Sequence, residues 1–129
     1  MSVFSNALSV TTSGLEAQAA RLRVLTENIA NVDTPGYRRK TIPFNIDRAD
    51  TAVARVAVGD VRFDRSDLEQ VYDPSHPLAD ESGHYAGTNV DLIIEMADAR
   101  EAQRSYEANL KMFDQTRQMS SGLMDLLRR

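Results

Sequence analysis

The stretch Ala30-Asn31-Val32-Asp33-Thr34-Pro35-Gly36-Tyr37 decides how this chain is organised. Pro35 supplies a fixed φ and Gly36 a positive one, which are the demands of the second and third positions of a type II turn over residues 34–37. Thr34 precedes a proline and is pushed out of the α region, so a helix running into this stretch ends by Asp33. Asn31 is expected in a left-handed conformation at that helix end. The octet therefore divides the chain into an N-terminal helix (residues 1–33), a turn with a small β-rich region (34–88), and a C-terminal helix (89–129).

Upstream, residues from about Ser5 to Ile29 carry a helical pattern, with Ser2 and Ser5 as candidate N-caps. Leu8, Leu15, Leu22 and Ile29 recur every seven residues, and Phe4, Leu25 and Val32 fall on interleaved positions. A second row, Val3, Val10, Ala17 and Val24, lies roughly 200° round the helix at about 100° per residue. A helix that is apolar on two sides has more than one neighbour.

The last segment, from about Val90 to Leu127, is the longest regular pattern, with Thr88, Asn89 or Asp91 as its cap. Leu92, Ala99, Tyr106, Phe113, Ser120 and Leu127 repeat every seven, and Met96, Leu110 and Met124 take partner positions. Its second half adds Met112, Met119, Leu123 and Leu126. That surplus belongs most simply to other subunits. The residues expected to form the subunit interface are Leu8, Leu15, Leu22, Leu25, Ile29, Met96, Tyr106, Leu110, Phe113, Met119, Leu123, Met124 and Leu127. The turn motif contributes Asn31, Thr34, Pro35, Gly36 and Tyr37.

Between the helices the pattern is short and irregular. Residues 41–46 alternate, but Pro43 allows an edge strand at best. Ala52–Val58 and Val61–Phe63 flank Gly59-Asp60 and read as a hairpin. Leu68–Tyr72 adds a further strand, about three in all. Residues 73–77 and 80–83 carry turn chemistry.

Composition narrows the function. At 129 residues the chain is one domain's worth, and a net charge of −4 argues against nucleic acid as partner. There is no cysteine, so disulfides and thiolate chemistry are excluded. No apolar run approaches the roughly 20 residues of a membrane helix, so membrane insertion is not expected. No Lys or Arg precedes Arg21 and no continuous apolar stretch follows, so a cleaved secretory signal is not expected either. No glycine-rich phosphate loop or nucleophile elbow is present, and neither enzymatic activity nor a cofactor is expected. Asp73, His76, Asp80, Glu81 and His84 have the composition of a metal site, but their Pro-, Ser- and Gly-rich setting favours a solvated turn. Arg38-Arg39-Lys40 reads as a solvated patch after the turn.

The octet resembles the Ala-Asn-x-x-Thr-Pro-Gly-Tyr signature of the axial proteins of the bacterial flagellum, its rod and hook subunits. The stretch Glu95-Met96-Ala97-Asp98-Ala99-Arg100-Glu101-Ala102-Gln103-Arg104-Ser105-Tyr106-Glu107-Ala108-Asn109 resembles their closing motif, in which a Met and an Ala precede Arg-Ser-Tyr-x-Ala-Asn. Residues 72–83 resemble a loop of the short proximal rod subunits. The chain departs from the family's usual wording at Gly83-His84-Tyr85 and Thr88-Asn89-Val90. The resemblance implies a mainly α fold whose terminal helices pair as an antiparallel, coiled-coil-like unit with an irregular β insert outside. It also implies a structural subunit of the proximal rod, assembling helically with itself and other rod subunits around an export channel and transmitting torque. Export by the flagellar type III apparatus into the periplasm, without a cleaved signal, is part of the same expectation. A soluble coiled-coil adaptor or export chaperone that binds one partner helix is the competing reading. A metal-dependent enzyme at the histidine loop is the third.

Overall fold

The computed structural model describes residues 2–48 and 53–129. Two long helices, α1 (Ser2–Ala30) and α2 (Leu92–Leu127), are separated by six short strands: β1 (Lys40–Thr41), β2 (Phe44–Asp47), β3 (Arg55–Val58), β4 (Arg62–Phe63), β5 (Gln70–Tyr72) and β6 (His84–Ala86). The helices pack along one another, and the fold is mainly helical with a small β region, as the sequence predicts.

Their register is antiparallel. Asn28 lies beside Glu95, Arg21 beside Glu101, and Gly14 beside Asn109. A step of seven back along α1 thus matches six to eight forward along α2. Continued to Ser2, this register reaches about residue 121, and the last two turns of α2 run past the start of α1. Gly14 permits the close approach, because a Cβ there would meet the Asn109 side chain at 3.0 Å. Ala17 and Ala102 are fully buried in the same seam.

The helix ends follow local chemistry. α1 already runs from Ser2, so Ser5 lies within the helix and does not cap it. Of the three cap candidates for α2, Asp91 serves: its carboxylate accepts from the amides of Ile93 at 3.1 Å and Ile94 at 3.4 Å. Thr88 and Asn89 are committed elsewhere.

The turn forms as expected. The Tyr37 amide donates to the Thr34 carbonyl at 3.1 Å, and Gly36 has φ +78°. Asn31 differs from expectation. Among the described residues no non-glycine has positive φ. The Asn31 amide instead continues the helical ladder to the Glu27 carbonyl, and its side-chain nitrogen donates to the same carbonyl at 2.8 Å. The following carbonyls, of Asn28 and Ile29, accept tighter i→i+3 bonds from the amides of Asn31 and Val32, so the helix end closes without a left-handed residue.

The expected hairpin across Gly59-Asp60 does not form. β3 pairs with β2 (Phe44 opposite Val58, Asp47 opposite Arg55), and β4 pairs with β1 (Lys40 opposite Phe63). These are two parts of one long antiparallel ribbon. Pro43, which has no amide to give, interrupts it on one side, and Gly59-Asp60-Val61 spans the gap with one extra residue on the other. The Gly59 amide bonds the Pro43 carbonyl at 2.9 Å, so glycine here keeps the ladder going past the break. Ala52, the expected start of the second strand, lies outside the described residues. The ribbon lies along α1: Arg55 donates to Ser9 Oγ at 2.9 Å and the Val56 amide to Ser13 Oγ at 3.1 Å. A further strand that the sequence does not predict, β6, pairs with β5. Its His84-Tyr85-Ala86 is too short to show alternation, so three two-stranded sheets replace the expected three strands.

Candidate interface faces and the polar hub at their end

The polar residues around the turn converge on Asn28. Its side-chain oxygen accepts from the Tyr37 hydroxyl at 2.8 Å and the Lys40 amide at 2.9 Å. Its nitrogen donates to the Lys40 carbonyl at 2.9 Å and to Glu95 at 3.4 Å. Asn28 and Glu95 are fully buried. The Arg39 guanidinium bonds Glu95 and lies 3.5 Å from Asp64 and 4.0 Å from Asp98. Burial works against the charge on Arg39, but the hydrogen bond and the charge of Glu95 outweigh it, and its pKa is raised. Burial also pushes the Tyr37 phenol up, with the Glu27 charge adding to it. Both groups keep their usual protonation at neutral pH.

A second layer ties the approach to α2 onto the turn. The Gly36 amide donates to the Gly87 carbonyl at 3.0 Å, and Thr88 Oγ1 to the Val32 carbonyl at 3.0 Å. Asn89 accepts from the Arg39 amide at 2.6 Å and donates to the Asp64 carbonyl at 3.0 Å. Thr34 Oγ1 donates to Asn31 Oδ1 at 3.1 Å. The motif residues thus fasten the end of α1 to the start of α2.

Arg38-Arg39-Lys40 is not the solvated patch expected. Arg38 donates to the Ser66 carbonyl at 3.0 Å, Arg39 enters the hub, and Lys40 pairs with Glu27. Each cation has a carboxylate or carbonyl within reach because the turn folds this segment back over α1. Sequence reasoning misses Asn28 altogether, takes Thr88 and Asn89 only as cap candidates, and takes Glu95 only as part of the closing motif. A signal for the hub role of Asn28 and Glu95 is their spacing: Asn28 follows Val24 by four and Glu95 precedes Ala102 by seven, so both are polar residues at seam spacing.

Apolar cover within the chain is thin. Among the described residues only Ala17, Val24, Leu25 and Ala102 are buried apolar side chains. The row Val3, Val10, Ala17 and Val24 therefore supplies two of the four. Of the expected interface residues, Leu25 is buried, and Leu8, Leu15, Leu22, Ile29, Tyr106 and Phe113 are half-buried. Met96, Leu110, Met119, Leu123, Met124 and Leu127 are exposed, Leu127 to 72%. The total accessible surface is 9004 Å². A compact monomer of 14.4 kDa would show about 6,800 Å². The excess is of the size that stable protein–protein contacts bury.

The histidine loop is held by its own turns. His76 stacks on Tyr85 with centroids 3.9 Å apart, and His76 Nδ1 accepts from the Leu78 amide at 3.1 Å. Asp73 accepts from Ser75 Oγ at 2.7 Å, and Asp80 from Ser82 Oγ at 2.6 Å and the His84 amide at 3.1 Å. These bonds hold Asp80 below the ordinary carboxylate range, the Ser82 hydroxyl first among them. Glu81 is exposed. Among the described residues no three His, Asp or Glu side chains converge as metal ligands. No helix of the described chain is long and apolar enough to cross a membrane.

Two family descriptions match the chain: "Flagella basal body rod protein" over residues 5–38 and "Flagellar basal body rod FlgEFG protein C-terminal" over residues 81–126. The matched spans contain Asn28, Tyr37 and Glu95 of the hub, while Arg39, Lys40 and Asp64 fall between them. The flagellar basal-body rod protein FlgC of Agrobacterium fabrum is 46% identical, covering 99% of this chain and 98% of that protein. The FlgC of Salmonella typhimurium is 35% identical over 88% of this chain and 90% of its own, and that of Borreliella burgdorferi 33% identical over 98% and 99%.

Proposed function

The chain belongs to the flagellar basal-body rod protein family, and on that premise we propose that it is an FlgC-like structural subunit whose helix pair packs with other rod subunits into a helical assembly. The observation that carries the assembly reading is the exposed apolar strip of α2, from Met112 through Met119, Leu123 and Leu126 to Leu127, on a helix that outruns its partner. In water that strip is a liability, and in an assembly it is the contact. Leu8, Leu15, Leu22 and Ile29 offer a half-buried row on α1 for a second neighbour. An adaptor or chaperone that grips one partner helix needs one such face, so this reading is not favoured.

The finer parts of the proposal follow from the family. The inner helical domain is residues 1–33 with 89–129, and the β region of 34–88 lies outside it. The subunit is delivered by the flagellar type III export apparatus, assembles around an export channel in the periplasmic basal body, and transmits torque through the rod. No catalytic step is assigned to it. The test is replacement of Leu123 and Leu127 by Asp in a cell that depends on this chain for motility. Basal bodies lacking a completed rod, with the variant still exported, are expected. Normal rods and swimming overturn the assembly role of this strip.

A further inference from the structure

Apart from its polar members, the row facing the seam between α1 and α2 holds nothing bulkier than valine and repeats every seven residues, so its apolar packing does not by itself choose a register. On α1 the seam row repeats as Val10, Ala17, Val24; on α2 it reads Glu95, Ala102, Asn109, Thr116 at the same period. A slide of seven residues in either direction exchanges small residues for small residues and leaves the helices in contact. In one direction Glu95 would come beside Arg21, which now pairs with Glu101 at 3.6 Å, so the slipped state even offers a cation.

The buried carboxylate distinguishes these states. In the observed register Glu95 meets both Asn28 and the Arg39 guanidinium. Arg39 is anchored outside α2, because its carbonyl accepts from the Asp64 amide at 2.7 Å and its guanidinium lies 3.5 Å from the Asp64 carboxylate. We propose that the Glu95–Arg39 pair is a positioning device that selects one register of the helix pair and thereby sets how far α2 projects beyond α1. An ion pair buried in a seam is a poor source of stability, and a slide in either direction parts Glu95 from both Asn28 and the Arg39 guanidinium. A slip of seven residues would lengthen or abolish the projecting end by about 10 Å at 1.5 Å per residue. Leu123, Met124, Leu126 and Leu127 sit on that end. The consequence for assembly rests on the proposed function; the register itself does not.

The test uses the full purified chain, which has no cysteine of its own. Three double-cysteine versions report the register by oxidation: Gly14→Cys with Asn109→Cys for the observed state, and Gly14→Cys with Ala102→Cys or with Thr116→Cys for the two slips. With the parent hub only the 14–109 crosslink is expected. With Arg39→Leu and Glu95→Leu together, the 14–109 yield should fall at least threefold and a slipped crosslink should appear. Arg39→Lys, which keeps the charge and loses the planar fork, should retain mainly 14–109. A doubly apolar hub that still gives only 14–109 overturns the proposal and assigns the register to the Gly36–Gly87 and Thr88–Val32 bonds. Loss of all three crosslinks in that variant also overturns it, showing that the pair holds the helices together without choosing between registers. A mixture of crosslinks with the parent hub overturns it as well. Because the readout needs no polymer, a failure of the assembly reading leaves it unaffected.

Discussion

The Tyr37 hydroxyl donates to the Asn28 side-chain oxygen at 2.8 Å, reaching back across the type II turn to the last turns of α1. Asn28 lies two residues before the motif stretch and Tyr37 ends it, so their bond closes the stretch into a loop. Asn28 is the better connected partner, since it also holds the amide and carbonyl of Lys40.

Removing these partners should have unequal costs. Tyr37→Phe deletes one donor while the Asn28 oxygen keeps the Lys40 amide, so a loss of about 0.5–1.5 kcal/mol is expected. Asn28→Leu strands several buried groups at roughly 1–3 kcal/mol each and should be the more damaging. Denaturant midpoints of the variants check the order. Equal midpoints would show that Asn28 is not the centre of the hub.

The two glycines of positive φ should respond differently to a side chain. Gly36 has open space around its would-be Cβ, so only conformation resists substitution. Gly36→Val is expected to cost about 1–3 kcal/mol, and Gly36→Asn less, because Asn tolerates the left-handed region. Gly83 has φ +82° and its Cβ would meet Tyr72 at 2.9 Å and Pro74 at 3.0 Å. Gly83→Ala should therefore disturb the β5–β6 pair where Gly36→Ala leaves its own surroundings unclashed. Chemical shifts of Tyr72 and Tyr85 in the two alanine variants report the difference.

Protection of the isolated subunit should be graded along the helices. The hub and the buried residues Ala17, Val24, Leu25 and Ala102 gather toward the turn end, while Met119, Leu123, Met124, Leu126 and Leu127 near the end of α2 are exposed. Hydrogen exchange on a verified monomer should be slow near residues 24–29 and 95–102 and fast over 112–127. On assembly the second range should slow. Strong monomer protection across 112–127 would count against its role as a contact.

Leu110→Asp places a charge on the half-exposed α2 stripe, where burial by a neighbour would leave it unpaired. Rod assembly and motility should fall while the monomer's denaturant midpoint moves little, because Leu110 is already partly exposed in the single chain. Glu107→Lys, at an exposed position of the same helix, should be milder. Full motility with Leu110→Asp would remove this stripe from the interface.

The Asp80 turn should loosen only in acid. Its carboxylate is held below the ordinary range by bonds from Ser82 and the His84 amide. A depressed folded pKa means the contribution is present above the ordinary value near 3.9 and is lost as pH falls through the folded value. Amides of Ser82 and His84 should therefore lose protection below about pH 4, and Asp80→Asn should remove that acid step. An unchanged acid profile in Asp80→Asn would show that Asp80 does not hold the turn.

The sequence by itself determined the two helices, the turn between the first helix and the β region, and the presence of apolar surface beyond what one chain covers. These are local matters: heptad spacing, a proline followed by glycine, and a leucine- and methionine-rich helix end all act through neighbouring residues. The strand pairing was not legible. Gly59-Asp60 has the wording of a hairpin, and only the placement of Pro43 opposite it makes it a break in one longer ribbon. The hub was not legible either, because Asn28, Arg39 and Glu95 are distant in sequence and ordinary one by one. Burying a carboxylate and an amide becomes tolerable only when the turn brings Tyr37, Arg39 and Lys40 onto the seam to satisfy them, and that meeting is decided in three dimensions.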